Sequence, residues 1–155
     1  MGSGSAKKCE LFVDGASRGN PGSAGAGVLI LVDGKAVCEK GFFLGEKTNN
    51  QAEYLGLLIG LFYCKKYISD SDKLYIFSDS QLIVKQVLGL YRVKDQKLMR
   101  LYTVAKQALI DMNYSLKHIL RDKNTRADAL ANKGVDEKKR LPLEFKTFLK
   151  QHANF

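Results

Sequence analysis

Apolar and polar positions alternate along KCELFVDG, Lys8 to Gly15, and the alternation stops at Asp14, which reads as a strand ending in a carboxylate. Ala24 to Leu44 carries two further strand-like runs around Asp33-Gly34, a dipeptide suited to a two-residue hairpin, so three antiparallel strands are expected. From Asn49 to Ile68 the spacing becomes helical. Ala52, Gly56 and Gly60 fall four apart and make a smooth stripe that would let the helix axis approach a sheet. Each glycine costs a helix roughly 1 kcal/mol against alanine, so the stripe implies a packing reason.

Lys73 to Asp79 then reads as a short strand, followed by a helix with Ser80 as N-cap and Gly89 as stop. Asp95 to Met112 is a second amphipathic helix, with Leu98, Leu101, Tyr102, Ala105, Leu109 and Met112 on its apolar face. Strand alternation returns from Tyr114 to Arg121. A capped helix, Asn124 to Gly134, and a last short helix from about Pro142 complete the pattern. This order predicts an α/β fold, a mixed sheet flanked by helices, in which the strands ending at Asp14, Asp79 and Arg121 lie parallel. Ligands collect at the carboxyl ends of such strands, where Asp14 and Asp79 both fall.

The chain has 155 residues, the size of one domain. Residues 1–6, MGSGSA, read as a flexible lead-in, and residues 7–155 as the domain. The longest apolar stretch, Leu55 to Cys64, is too short to span a bilayer, so no membrane partner is expected. Cys9, Cys38 and Cys64 are widely spaced and form neither a zinc pattern nor a disulfide framework, which fits a reducing, cytoplasmic setting. A formal charge of +9 points to a polyanionic partner or only to a soluble basic protein. A monomer is expected.

Four acids stand among apolar or small residues: Asp14, Glu53 in the first turn of the long helix, Asp79, and Asp128 in RADALAN. Singly each has a structural reading, as a turn residue for Asp14, a helix-dipole partner for Glu53 and Asp128, and a helix cap for Asp79. Together, two strand ends and two helical turns can converge at one edge of the sheet, where four carboxylates need cations. Oxygen-only ligands favour hard ions such as Mg²⁺ or Mn²⁺, and a pair of such ions is the usual arrangement for in-line phosphodiester hydrolysis.

The segments DGASRGNPG, TNNQAEY, FSDSQL and RDKNTRADALAN resemble, in order and approximate spacing, the four blocks of type 1 ribonuclease H, and the resemblance runs from about Cys9 to Lys133. It implies a five-stranded RNase H-like sheet in the order 3-2-1-4-5 and endonucleolytic cleavage of the RNA strand of an RNA/DNA hybrid, with 5′-phosphate and 3′-hydroxyl products. The family's metal-binding acids fall on Asp14, Glu53, Asp79 and Asp128. One ion, held mainly by Asp14 and Asp128, would supply the attacking hydroxide; a second, shared through Asp14 and held by Glu53 and Asp79, would stabilise the leaving oxygen. Substrate contacts are implied for Gly15 and Asn20, whose loop runs close to the minor groove, and for Asn50 and Gln51 beside Glu53, where the 2′-hydroxyl is sensed. Thr48 and Asn49 would receive a DNA-strand phosphate, or serve only as a helix cap.

Two departures from the family pattern stand out. Only LYRVKDQKL joins the helices between which many bacterial members carry a basic handle, which makes Lys94, with Arg92 and Lys97, the candidates for backbone contacts. No histidine lies between the fifth strand and Asp128, and His118, inside the strand pattern, reads as structural. Arg121 resembles the arginine that handle-less members place at this strand end, where it would contact the scissile phosphate or pair with Asp122 or Asp128. The competing readings are a transposase- or resolvase-like relative on the same sheet and a silent hybrid- or RNA-binding module. The complete TNNQAEY block opposes the first, and concentrated negative charge beside a phosphate opposes the second.

Overall fold

A computed structural model describes residues 7–153, so the lead-in expected for residues 1–6 lies outside the described residues. The elements are β1 (Lys8–Gly19), β2 (Gly22–Val32), β3 (Lys35–Lys47), α1 (Asn49–Cys64), β4 (Lys73–Ser78), α2 (Gln81–Val87), α3 (Gln96–Leu109), β5 (Tyr114–His118), a 3-10 turn (Arg121–Lys123), α4 (Thr125–Asp136) and α5 (Leu143–Ala153). The five strands form one sheet in the order β3-β2-β1-β4-β5, as expected from the resemblance. β1, β2 and β3 are antiparallel neighbours, and β4 and β5 join parallel to β1. Asp33 and Gly34 both take positive φ, 51° and 81°, which is what a two-residue hairpin turn of the right twist requires.

Several boundaries differ from the expectation; β4 ends at Ser78 rather than Asp79 and α3 at Leu109 rather than Met112, and three further differences bear on the site. β1 does not end at Asp14 but continues to Gly19, pairing with β2 as far as Gly19↔Gly22. Its parallel pairing with β4 stops at Val13↔Ser78, so Asp14 is the first residue of β1 to project past β4. The segment after Asp14 lacks large side chains and therefore shows no alternation, yet its backbone still finds ladder partners in the equally small-residue start of β2. β5 ends at His118, and Arg121 opens the 3-10 turn beyond it. α1 ends at Cys64 rather than Ile68, and Glu53 lies past its first turn, which holds no acid.

The stripe on α1 does bring that helix onto β1. A methyl on Gly15 would overlap the main chain of Ala52, and one on Gly56 would lie 2.7 Å from the carbonyl oxygen of Asp14. Gly60 meets the side chains of Val13 and Leu11 in the same way. A methyl on Gly27 would overlap the main chain of Ala127 in α4. Gly27 faces Asp14 across the β1–β2 ladder while Gly15 faces Ala26, so α1 and α4 cover opposite faces of the sheet at the level of Asp14.

The core is continuous from the sheet through α1, α2 and α3 to α5, where Phe145 and Phe148 are buried against Phe62. Leu143, the first residue of α5, is exposed. All three cysteines are buried free thiols. Among the described residues no helix is long and apolar enough to cross a membrane.

Candidate active site

Asp14 is brought to the site by β1, Asp79 by the residue following β4, and Glu53 by the second turn of α1. One carboxylate oxygen from each lies within 4.8 Å of the others. The N–H of Gly15 donates to Oε1 of Glu53 at 2.6 Å, so the residue after the first acid holds the second. Asp128, in the first turn of α4, stands outside this trio but within hydrogen-bonding reach of Asp14.

Asp14 is only 5% exposed. Burial first, then the charges of Glu53 and Asp79 and the contact with Asp128, raise its pKa well above the ordinary carboxylate range. Glu53 is raised as well, by burial and by Asp79, against the opposing pull of the Gly15 N–H, the bond to Asp14 and the charge of Arg121. No lysine or arginine forms an ion pair with any of the four acids among the described residues. The simpler readings of two acids fall away: Asp14 sits in a paired strand, and α2 is capped by Ser80, whose hydroxyl accepts from Ile83, rather than by Asp79. Crowded carboxylate oxygens that are only partly exposed and not ion-paired fit hard divalent ions.

A model of the family described as reverse transcriptase-like matches residues 12–134. Ribonuclease HI of Halobacterium salinarum is 41% identical over 132 residues, covering 84% of this chain and 65% of the relative. The chain belongs to the type 1 ribonuclease H family. A bifunctional protein of Mycobacterium tuberculosis is 37% identical over 133 residues, 83% of this chain but only 36% of that protein. The chain thus spans less than two thirds of these relatives. Among solved structures, LC11-RNase H1 in complex with an RNA/DNA hybrid superimposes with a TM-score of 0.79 at 35% identity, over 84% of this chain and 98% of that one.

Around the ribonuclease H carboxylates, the residues expected to meet substrate form one hydrogen-bonded corner. Oδ1 of Asn20, in the β1–β2 turn, accepts from the N–H of Asn49 at 3.1 Å, and Oδ1 of Asn49 accepts from the N–H of Ser17 at 3.0 Å. Thr48 and Gln51 form a reciprocal capping box: Thr48 Oγ1 accepts from Gln51 N–H at 3.2 Å, and Gln51 Oε1 accepts from Thr48 N–H at 2.9 Å. The capping role therefore holds for Thr48. Among the described residues the bonds of this corner use the side-chain oxygens of Asn20, Asn49 and Gln51 and not their NH₂ groups. Asn50 is half-buried beside them.

The peripheral cations divide. Lys94 and Arg92 are exposed in the link between α2 and α3, and Lys97 is exposed in the first turn of α3. Arg121 is exposed and pairs with neither Asp122 nor Asp128 among the described residues, although its charge reaches Glu53. Arg18 binds the protein: its guanidinium meets Asp136 at 2.8 Å and Asn132 Oδ1 at 3.2 Å on α4. Sequence reasoning missed Asn124 as a member of the site. It reads there as part of a capped helix start, but its side chain makes no cap and reaches Val13 and Asp79 instead. Periodicity carries no signal for a single buried amide.

Proposed function

We propose that the chain is an endoribonuclease that hydrolyses the RNA strand of RNA/DNA hybrids, holding two Mg²⁺ or Mn²⁺ ions on Asp14, Glu53, Asp79 and Asp128. The observation that carries this reading is the trio of Asp14, Glu53 and Asp79 oxygens within 4.8 Å, one buried and two half-buried, with no ion pair to any of them among the described residues. Bound ions supply hydroxide for attack on phosphorus and offset charge on the leaving 3′ oxygen, which gives 5′-phosphate and 3′-hydroxyl ends.

The protein's own part is to place and select. Asp14, on the strand that projects past β4, would hold the ions together with Asp128, Glu53 and Asp79. Asn20, Asn50 and Gln51, joined by Glu53, read the 2′-hydroxyl in the minor groove, with Gly15 letting the backbone come close. Thr48 and Asn49 take a phosphate of the DNA strand at the start of α1, and Lys94 adds a backbone contact where this chain has no handle. His118, at the end of β5, supplies no base. Arg121 acts through charge, because a guanidinium does not release its proton near neutral pH. Three buried thiols suit a reducing compartment, and a cytoplasmic location is part of this reading.

The test is a labelled RNA/DNA hybrid, with matched RNA and DNA duplexes, incubated with Mg²⁺, Mn²⁺ or EDTA. Metal-dependent cutting of the hybrid's RNA alone is the expected result. Cutting of DNA would assign the chain to a transposase- or resolvase-like activity, and retention without cutting would make it a binding module.

A further inference from the structure

Asn124 is 2% exposed and lies between the segments that carry three of the four acids. Its Nδ2 donates to the carbonyl of Val13 at 2.8 Å and faces Oδ2 of Asp79 at 3.4 Å. Its own carbonyl accepts from the N–H of Asp128 at 3.1 Å. Its Oδ1 is buried without a partner. Both acceptors sit on the NH₂ side, so turning the amide over would set oxygen against oxygen twice. The residue is there for its donors.

The location explains the need. The β1–β4 ladder ends at Val13↔Ser78, one residue before Asp14 and one before Asp79. Beyond it the carbonyl of Ser78 is taken by Ile119 N–H at 2.9 Å, and that of Val13 by the Asn124 side chain. We infer that Asn124 is a positioning residue for the metal ligands: one amide group closes the end of the ladder and orients the Asp79 carboxylate through Oδ2. This rests on the metal-dependent reading above. Partners that orient ligating carboxylates typically contribute 10–100-fold in metal affinity.

The experiment is Mn²⁺ binding to EDTA-stripped protein, measured by calorimetry for the wild type, Asn124→Ala, Asp79→Asn and the double variant, with melting temperatures and the KM and kcat of hybrid cleavage recorded alongside. Asn124→Ala is expected to weaken Mn²⁺ binding about tenfold. It should raise the half-saturating Mg²⁺ for cleavage similarly and leave KM for the hybrid within about twofold. In the Asp79→Asn background the same substitution should change Mn²⁺ affinity little, because the group it orients is gone. Equal loss in both backgrounds, or a lowered melting temperature with unchanged Mn²⁺ affinity, would reduce Asn124 to a structural tie and overturn the inference. Should Asn124→Ala fail to fold, Asn124→Leu, which is close in size and has no donor, carries the same comparison. Mn²⁺ binding is read without substrate, so a wild type that binds metal but cuts no hybrid would sink the proposed activity and leave this inference standing.

Discussion

Gly15 and Glu53 are joined by a 2.6 Å hydrogen bond from backbone to carboxylate, and the helix that carries Glu53 touches β1 backbone to backbone at that point. The spacing of the first two acids is therefore set by the absence of two side chains, at Gly15 and Gly56. Helix propensity alone would make Gly56→Ala stabilising by roughly 1 kcal/mol. A methyl 2.7 Å from the Asp14 carbonyl must instead move α1 or β1, at a cost of about 1–3 kcal/mol or more. Urea unfolding should show Gly56→Ala less stable than the wild type, with weaker Mn²⁺ binding. Gly60→Ala, whose nearest neighbours are side-chain atoms of Val13 and Leu11, should cost less and leave binding near normal. A Gly56→Ala protein as stable as the wild type would mean that this close approach does not exist.

The raised pKa values of Asp14 and Glu53 have a sign that can be measured. In each case the folded state holds the proton more tightly than an unfolded carboxylate does. Their contribution to stability is therefore fully present below the ordinary carboxylate range and is lost as pH rises through the raised folded values. In EDTA the melting temperature should fall from about pH 5 to about pH 9. Mg²⁺ should offset most of that fall, and more at higher pH, by binding only the deprotonated site. Asp14→Asn should flatten the EDTA curve, abolish cleavage and preserve hybrid binding. A melting temperature that rises with pH in EDTA, or full activity in this variant, would contradict the assignment.

Much of the fold and of the acid cluster is legible in the residues alone, and what is not has identifiable causes. The helical face of α3, the Asp33-Gly34 turn and the Ser80 cap are local features, visible in residue spacing and turn chemistry. The four acids are visible as residues, but their convergence follows from the order of four motifs rather than from periodicity. The extension of β1 to Gly19 is hidden because Gly15, Ala16 and Ser17 offer no apolar alternation, although their backbones pair fully with β2. Arg18 and Asn124 are unreadable for a different reason. Their partners, Asp136 at one and Val13 and Asp79 at the other, are distant in sequence and meet them only because α4 lies across the sheet.

The ion pair between Arg18 and Asp136 ties the β1–β2 hairpin to α4, but both side chains are largely exposed. Exposed pairs contribute about 0.2–1 kcal/mol. Arg18→Ala should accordingly lower stability by no more than that, less in high salt, and leave the Mn²⁺ affinity of the carboxylates unchanged. Its effect on hybrid affinity should be small, since the guanidinium already faces α4. A large rise in KM with unchanged stability would show that Arg18 leaves Asp136 for a phosphate of the substrate.

Arg121 presents the opposite case, a cation near the acids that is committed to no ion pair among the described residues. Its charge favours the ionised form of Glu53. Removing it should raise the proton affinity of Glu53 further, so that more Mg²⁺ is needed at acidic pH and the acid limb of the rate profile shifts upward. A positive charge facing a phosphate that gains negative charge in the transition state also speeds the reaction itself. Arg121→Ala should therefore lower kcat about tenfold, roughly 1.4 kcal/mol of barrier, without abolishing cleavage. Arg121→Lys should restore part of the rate, because the charge returns but the planar donor pair does not. Stability should barely change, since no ion pair is lost. Unchanged kinetics in Arg121→Ala across the pH range would remove this residue from the site and leave the four carboxylates and their ions to carry the chemistry alone.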